Sequence, residues 1–198
     1  MPMKAMTNLF ILVALLGILI YSAASQAQDK PEQTASVVPQ SVEKVQLTDV
    51  LEAARKNSKK TFLINHHVQP EIVVGQIAVR DIDYALLLQI LRNNDLAAVT
   101  VDGAVNVIPV AIIRQYPLPA IPNDDSLNDE EWVTGVLPLE NAPAPSIVPI
   151  MRPMMPQAGH LAAYPYSNSV IIVDRLGNAR RILNLIRRLD QATSPQTE

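Results

Sequence analysis

The stretch from Tyr116 to Glu131 constrains this chain more than any other. It holds Pro117, Pro119 and Pro122, followed by Asp124, Asp125, Asp129, Glu130 and Glu131. Proline has no amide hydrogen and a fixed φ, so neither a helix nor a central strand runs through the first half. The acids of the second half favour water. Residues 114–131 therefore read as a stiff, solvated linker with a small αβ domain on either side, within the size that 198 residues allow.

Hydrophobic residues make up 48% of the chain and charged residues 18%, which supports globular cores and excludes wholesale disorder. The absence of cysteine excludes disulfides, thiolate metal sites, a Cys nucleophile and a lipid-modified cysteine. A formal charge of −3 gives no bulk attraction to nucleic acid or anionic membrane.

Residues 1–27 have the layout of a signal peptide. Lys4 is the basic start and Leu9 to Tyr21 the apolar centre. Ser25 and Ala27 are the small residues before a cleavage site. The apolar centre falls short of the ~20 residues that span a bilayer, so export with cleavage is expected. Cleavage would leave 15 basic and 19 acidic residues, a charge of −4. Residues 28–41 are polar, with Pro31 and Pro39, and read as a disordered lead-in.

The first domain is expected over residues 42–113. Val42 to Leu47 alternates as a short strand, and Thr48 is placed to cap a helix whose apolar side is Leu47, Val50, Leu51 and Ala54 and which Arg55, Lys56, Lys59 and Lys60 close. Strands follow at Thr61 to Ile64 and Glu71 to Val74. A second helix is predicted from Ile82 to Asn93, with Asp81 as its cap. Asp102-Gly103 then joins two β-rich runs. Both residues of such a turn take positive φ, so the dipeptide is a strong hairpin signal.

The second domain is expected over residues 132–191 with the order β-α-β-β-α. The strands are Trp132 to Leu139, His160 to Tyr164 and Ser169 to Asp174. The helices are Ala144 to Met154, with a kink or a short first turn to accommodate Pro149, and Asn178 to Gln191. Residues 192–198 form a tail. The fold class is α+β, two small αβ domains, the second with KH-like topology.

Nothing in either domain reads as catalytic. No serine lies in a Gly-x-Ser-x-Gly setting. The paired acids suit caps and linker, and the glycines are too scattered to cradle a phosphate. His66 and His67 are adjacent, and neighbours in a strand face opposite ways, so no metal site is assigned. No cofactor is implied. Arg180, Arg181, Arg187 and Arg188 on the last helix could serve nucleic acid, but KH modules clamp backbone with Gly-x-x-Gly, which is missing. A solvated helix face and contacts to a neighbouring subunit remain the two readings. Sheet edges at Val42, Val45 and Leu47, or at Val105 and Val107, are candidates for docking a partner strand.

Two segments carry a family resemblance. TFLINHHVQPEIVVG, YALLLQILRNNDLAAV and the hairpin ending VNVIP resemble the secretin/TonB short N-terminal module. VLPLENAP, IMRPMMPQAGHLAAYPYSNSVIIVD and GNARRILNLIRRLD resemble the secretin NolW-like module. Together they cover Val42 to Asp190 and are similar to the N-terminal periplasmic part of type II (general secretion pathway protein D) secretins. The resemblance implies a non-enzymatic periplasmic protein of a secretion system. Its partners would be an inner-membrane platform component, an exported substrate, and a full-length secretin or separately encoded channel chain; self-association into a ring is also implied. Full secretins continue into a channel-forming β-domain, for which no segment is read here. A TonB-type signalling adaptor and a degenerate secretin remnant are the alternatives.

Overall fold

The computed structural model describes residues 44–193. The expected signal peptide, the lead-in, Val42 and the tail beyond Thr193 lie outside the described residues. The elements in the first half are β1 (Lys44–Gln46), α1 (Leu47–Ser58), β2 (Thr61–Ile64), β3 (Glu71–Val73), α2 (Tyr84–Asn93), β4 (Leu96–Val101) and β5 (Ala104–Pro109). The second half adds β6 (Trp132–Pro138), α3 (Ala144–Met151), β7 (His160–Tyr164), β8 (Ser169–Arg175) and α4 (Leu176–Ala192). This is the expected α+β class, and β6-α3-β7-β8-α4 is the expected order.

In the first module β1 pairs antiparallel with β3, and a separate sheet runs β2-β5-β4. The Asp102-Gly103 turn joins β4 to β5 with φ of 50° and 81°, the left-handed pair that a tight hairpin needs. Helices α1 and α2 cover one face of the three-stranded sheet. Val50, Leu51 and Ala54 of α1 and Leu87, Leu88 and Leu91 of α2 meet Ala98, Val105 and Val107 there.

Helix starts differ from the expectation at two places. Thr48 lies inside α1, which begins at Leu47 after Gln46 with no side-chain cap. The second helix begins at Tyr84, and Asp83 is its cap, accepting from the Leu86 amide at 2.8 Å. Asp81 ends a 3-10 turn, Val79–Asp81, that carries the chain into the cap.

In the second module β8 is the central strand, with β6 and β7 antiparallel on either side. Helices α3 and α4 cover one face, and Ile147, Met151, Ile182 and Ile186 close over Val133, Val170 and Ile172. Pro149 stays within α3, which ends two residues later and passes into a 3-10 turn, Arg152–Met154. Gly135 leaves room for Ile121: a Cβ there would stand 2.5 Å from Ile121 Cδ1 and 3.0 Å from Ile172 Cγ2, so the Ile121 side chain would have to shift.

Two polar side chains hold the loop between β6 and α3. Asp190, 8% exposed near the end of α4, accepts from the backbone amides of Glu140 (3.0 Å), Asn141 (2.8 Å) and Ala142 (2.7 Å). Asn168, at φ 44°, donates to Leu139 O and Ala142 O and accepts from the Ala144 amide. The amides, that of Ala142 foremost, hold the Asp190 carboxyl below the usual carboxylate range. A depressed folded-state pKa means that the stabilisation is present above the unfolded value of about 3.9 and is lost as pH falls through the folded value.

Asp190→Ala is therefore expected to cost roughly 2–3 kcal/mol in urea unfolding at neutral pH. The gap to the parent protein should narrow as the pH is lowered from about 5 towards about 2. An unchanged gap across that range would remove the carboxylate from this role.

Candidate functional site

Neither half of the described chain presents a catalytic constellation. The geometry that stands out is the joint between the two modules. The face of the β2-β5-β4 sheet opposite α1 and α2 carries Ala97, Val99 and Ile108. They are buried with Ile113 from the 3-10 turn Val110–Gln115 and with Trp132, the first residue of β6, which is 3% exposed. Tyr116 and Leu118 of the linker pack on the same cluster, as does Val173 of β8.

A polar layer surrounds this cluster. Glu130 stands between the modules, with Arg92 of α2 donating to Oε1 at 2.8 Å and Arg175 Nε 3.2 Å from Oε2. The Arg175 guanidinium lies 4.9 Å from the Trp132 ring centroid, within cation–π range. Tyr84 donates from its hydroxyl to Glu131 Oε1 at 2.9 Å, and burial, reinforced by that carboxylate, pushes the Tyr84 hydroxyl well above its ordinary pKa. It therefore remains a donor throughout the physiological range. The backbone carbonyls of Glu131 and Asp129 accept from the Leu176 and Gly177 amides, tying the linker to the start of α4.

Two of the linker acids thus depart from the solvated reading: Glu130 and Glu131 are partly buried and bonded to both modules. Asp124 and Asp125 remain exposed. An open cleft of about 460 Å³ beside the joint is lined by Arg92, Glu130, Asp174 and Arg175 among others. Asp174 is fully buried, accepts from the Arg175 amide and from Asn178 Nδ2, and is raised in pKa by burial. The opposite charges in this cleft neutralise one another, and no nucleophile stands beside a base.

The other candidate residues are scattered. Val105 and Val107 are 1% and 0% exposed on β5, the central strand of its sheet, so they form no edge. The reason is the parallel insertion of β2 beside β5. Leu47 is 1% exposed within α1 and is no strand residue. Val45 does lie on β1, half-buried.

Arg180 meets its own chain, donating to Asp124 O at 2.8 Å and lying 3.4 Å from Asp125 Oδ1. Arg181 donates to Asn178 Oδ1 at 2.7 Å. Arg187 and Arg188 are exposed and carry no ion pair among the described residues. His66 and His67 occupy an exposed turn with ring centroids 3.8 Å apart. Among the described residues no group of three His, Cys, Asp or Glu could hold a metal, and no helix is long and apolar enough to cross a membrane.

Two small αβ modules joined through a buried Trp and a shared carboxylate form the scaffold of the described residues. Known proteins place that scaffold. Residues 134–194 match the family described as the bacterial type II/III secretion system short domain. The chain is similar to the secretin XcpQ of Pseudomonas aeruginosa, 30% identical over 138 residues, covering 68% of this chain and 20% of that one. It is also 26% identical over 153 residues to the secretin GspD of Vibrio cholerae, covering 72% of this chain and 22% of that protein. A type II secretion system outer membrane complex from Klebsiella pneumoniae shares the fold, with a TM-score of 0.63 at 22% identity, over 77% of this chain and 27% of the solved one. The described part of this chain is similar to part of the secretins, and residues 134–194 carry the short domain. The chain spans about a fifth of the length of the curated secretins it matches.

The joint predicts a graded response to mutation. Glu130→Gln should destabilise the chain by about 2 kcal/mol, because Arg175, with its side chain 14% exposed, loses its counter-charge. In double-mutant cycles read by urea unfolding, Glu130 should couple more strongly to Arg175 than to the 55% exposed Arg92. Equal coupling would contradict a buried role for the Arg175 pair.

Proposed function

We propose that this chain is a non-catalytic periplasmic component of a type II protein secretion system. It works by docking: the first module engages an inner-membrane component or exported substrate, and the second packs in or against a secretin ring. The observation that carries this reading is the likeness to secretins across both modules, in sequence and in order. The Klebsiella complex, which contains PulD, PulS and the PulC HR domain, supports secretion-system partners for a fold of this kind.

The surface of the second module suits lateral packing. Val136, 64% exposed, projects from the sheet face opposite the helices, where its neighbours Val133 and Leu137 point inward. Ile150, 61% exposed, lies on the outer side of α3, whose Ile147, Val148 and Met151 are buried. Apolar side chains thus emerge on two opposite sides of the module. That is the arrangement for a head-to-tail contact between copies or with a related chain. Arg187 and Arg188 extend the helical side with unpaired charge among the described residues.

Crosslinking in the periplasm, followed by purification of the full chain, is expected to recover a secretin or an inner-membrane secretion component. Recovery of neither, or of a sigma-regulator-type membrane protein instead, would overturn the proposal. Arg187→Glu combined with Arg188→Glu should weaken the recovered association at least tenfold. The same reversal at Arg181, which bonds within its own helix, should leave it nearly unchanged.

A further inference from the structure

A sheet edge recruits another strand only where its outward amides and carbonyls are free. Most edges in the described residues are closed by specific devices. On β3, the Asn94 side chain imitates a strand: its Oδ1 accepts from the Val73 amide and its Nδ2 donates to Val73 O, both at 2.8 Å. On β4, Leu96 to Val99 are buried in the joint and the helical core. On β6, Thr134 is bonded to Pro119 O and to the Ile121 amide, and the strand ends at Pro138. On β7, Arg152 Nη1 donates to Leu161 O at 3.1 Å.

Strand β2 has no such device. It pairs with β5 on one side only. The Asn65 amide continues that ladder onto Val107 O, so by the two-residue alternation of a strand Phe62 and Ile64 turn their backbone groups to the open side. The strand reads Thr-Phe-Leu-Ile, with no charge and no proline. Leu63 is 52% and Ile64 44% exposed, although both are large and apolar.

The flanks identify the occupant. Lys59 and Lys60 precede the strand and the exposed His66 and His67 follow it. Neither lysine joins an ion pair among the described residues, and Lys60 Nζ lies 4.4 Å from the Tyr84 ring centroid. Asp102, in the hairpin turn beyond β5, is the acid that the topology brings to this end of the sheet. A second copy of β2 sets both open residues, Phe62 and Ile64, against their counterparts by pairing antiparallel about Leu63. That register sets His66 and His67 of one copy against Lys60 and Lys59 of the other. The flanks then offer a lysine no carboxylate, so self-pairing gains nothing from charge.

We propose that β2 is a strand-addition site for an extended segment of another protein, apolar at its centre and acidic at its flank. Main-chain bonds to Phe62 and Ile64 hold the segment. Leu63 and Ile64 contact its central side chains, and Lys59 and Lys60 pair with its carboxylates. The site rests on edge geometry and charge alone and does not depend on the secretion reading.

The test uses the full chain and a capped peptide with a Val-Thr-Val centre and Glu-Glu at both ends, followed by amide NMR. Binding is expected to shift the Phe62 and Ile64 amides and slow their hydrogen exchange. Lys-Lys ends, or proline at the centre, should weaken it at least tenfold. Lys59→Glu with Lys60→Glu should reverse the preference between the two sets of ends. Ile64→Lys, at an exposed position, should abolish binding while the remaining amides keep their shifts. No binding, indifference to the flanking charge, or shifts centred on another strand would each overturn the proposal. So would concentration-dependent shifts at Phe62 and Ile64 without peptide, which would make the occupant a second copy.

Discussion

A three-stranded sheet has two faces, and the helices of the first module cover only one of them. The second face, with Ala97, Val99 and Ile108, is apolar and has to be buried. Trp132 does this from outside the module, across a linker that folds back through Tyr116 and Leu118. Burying an indole removes on the order of 200 Å² of apolar surface from water. The position of β6 therefore follows from the unfinished core upstream of it, and the linker is structure.

The charges around Trp132 follow from the same constraint. A carboxylate next to an apolar cluster is costly unless cations meet it, and Glu130 is met by one guanidinium from each side. Arg175 also covers the indole face, so a single side chain contributes both to the electrostatics and to the covering of the core. Burial lowers the pKa of Arg175, with Glu130 acting in the opposite sense, but an arginine stays charged at any ordinary pH. The joint therefore does not switch by protonation of this group.

Local features were readable in the sequence and non-local ones were not. Asp102-Gly103 announced its hairpin because the requirement for positive φ lies in the two residues themselves. The last helix was legible as a helix but its buried face only in part: Ile182, Leu185, Ile186 and Leu189 read as the apolar side, whereas Leu183 is buried with Ile182 and Ile186 and Leu189 is 39% exposed. Asp81 and Asp83 both precede a helical pattern, and only the 3-10 turn Val79–Asp81 decides between them. Val105 and Val107 looked like edge residues because alternation shows which way a side chain points and says nothing of which strand lies alongside. The parallel partner β2 stands forty-odd positions upstream. Glu130 and Glu131 looked solvated for a similar reason: Arg92, Tyr84 and Arg175 are remote in sequence. The secretin resemblance, carried by several motifs spread over both modules, pointed correctly to the class.

The small devices on the sheet margins have a consequence for crowding. Asn94, Arg152 and Pro138 each occupy or delete a backbone group that a neighbouring chain could otherwise capture. Each does so with one residue and adds no extra element to the fold. At high local density the margins closed in this way cannot fuse with those of a neighbour, so strand pairing between molecules is confined to margins such as β2 that carry no such device.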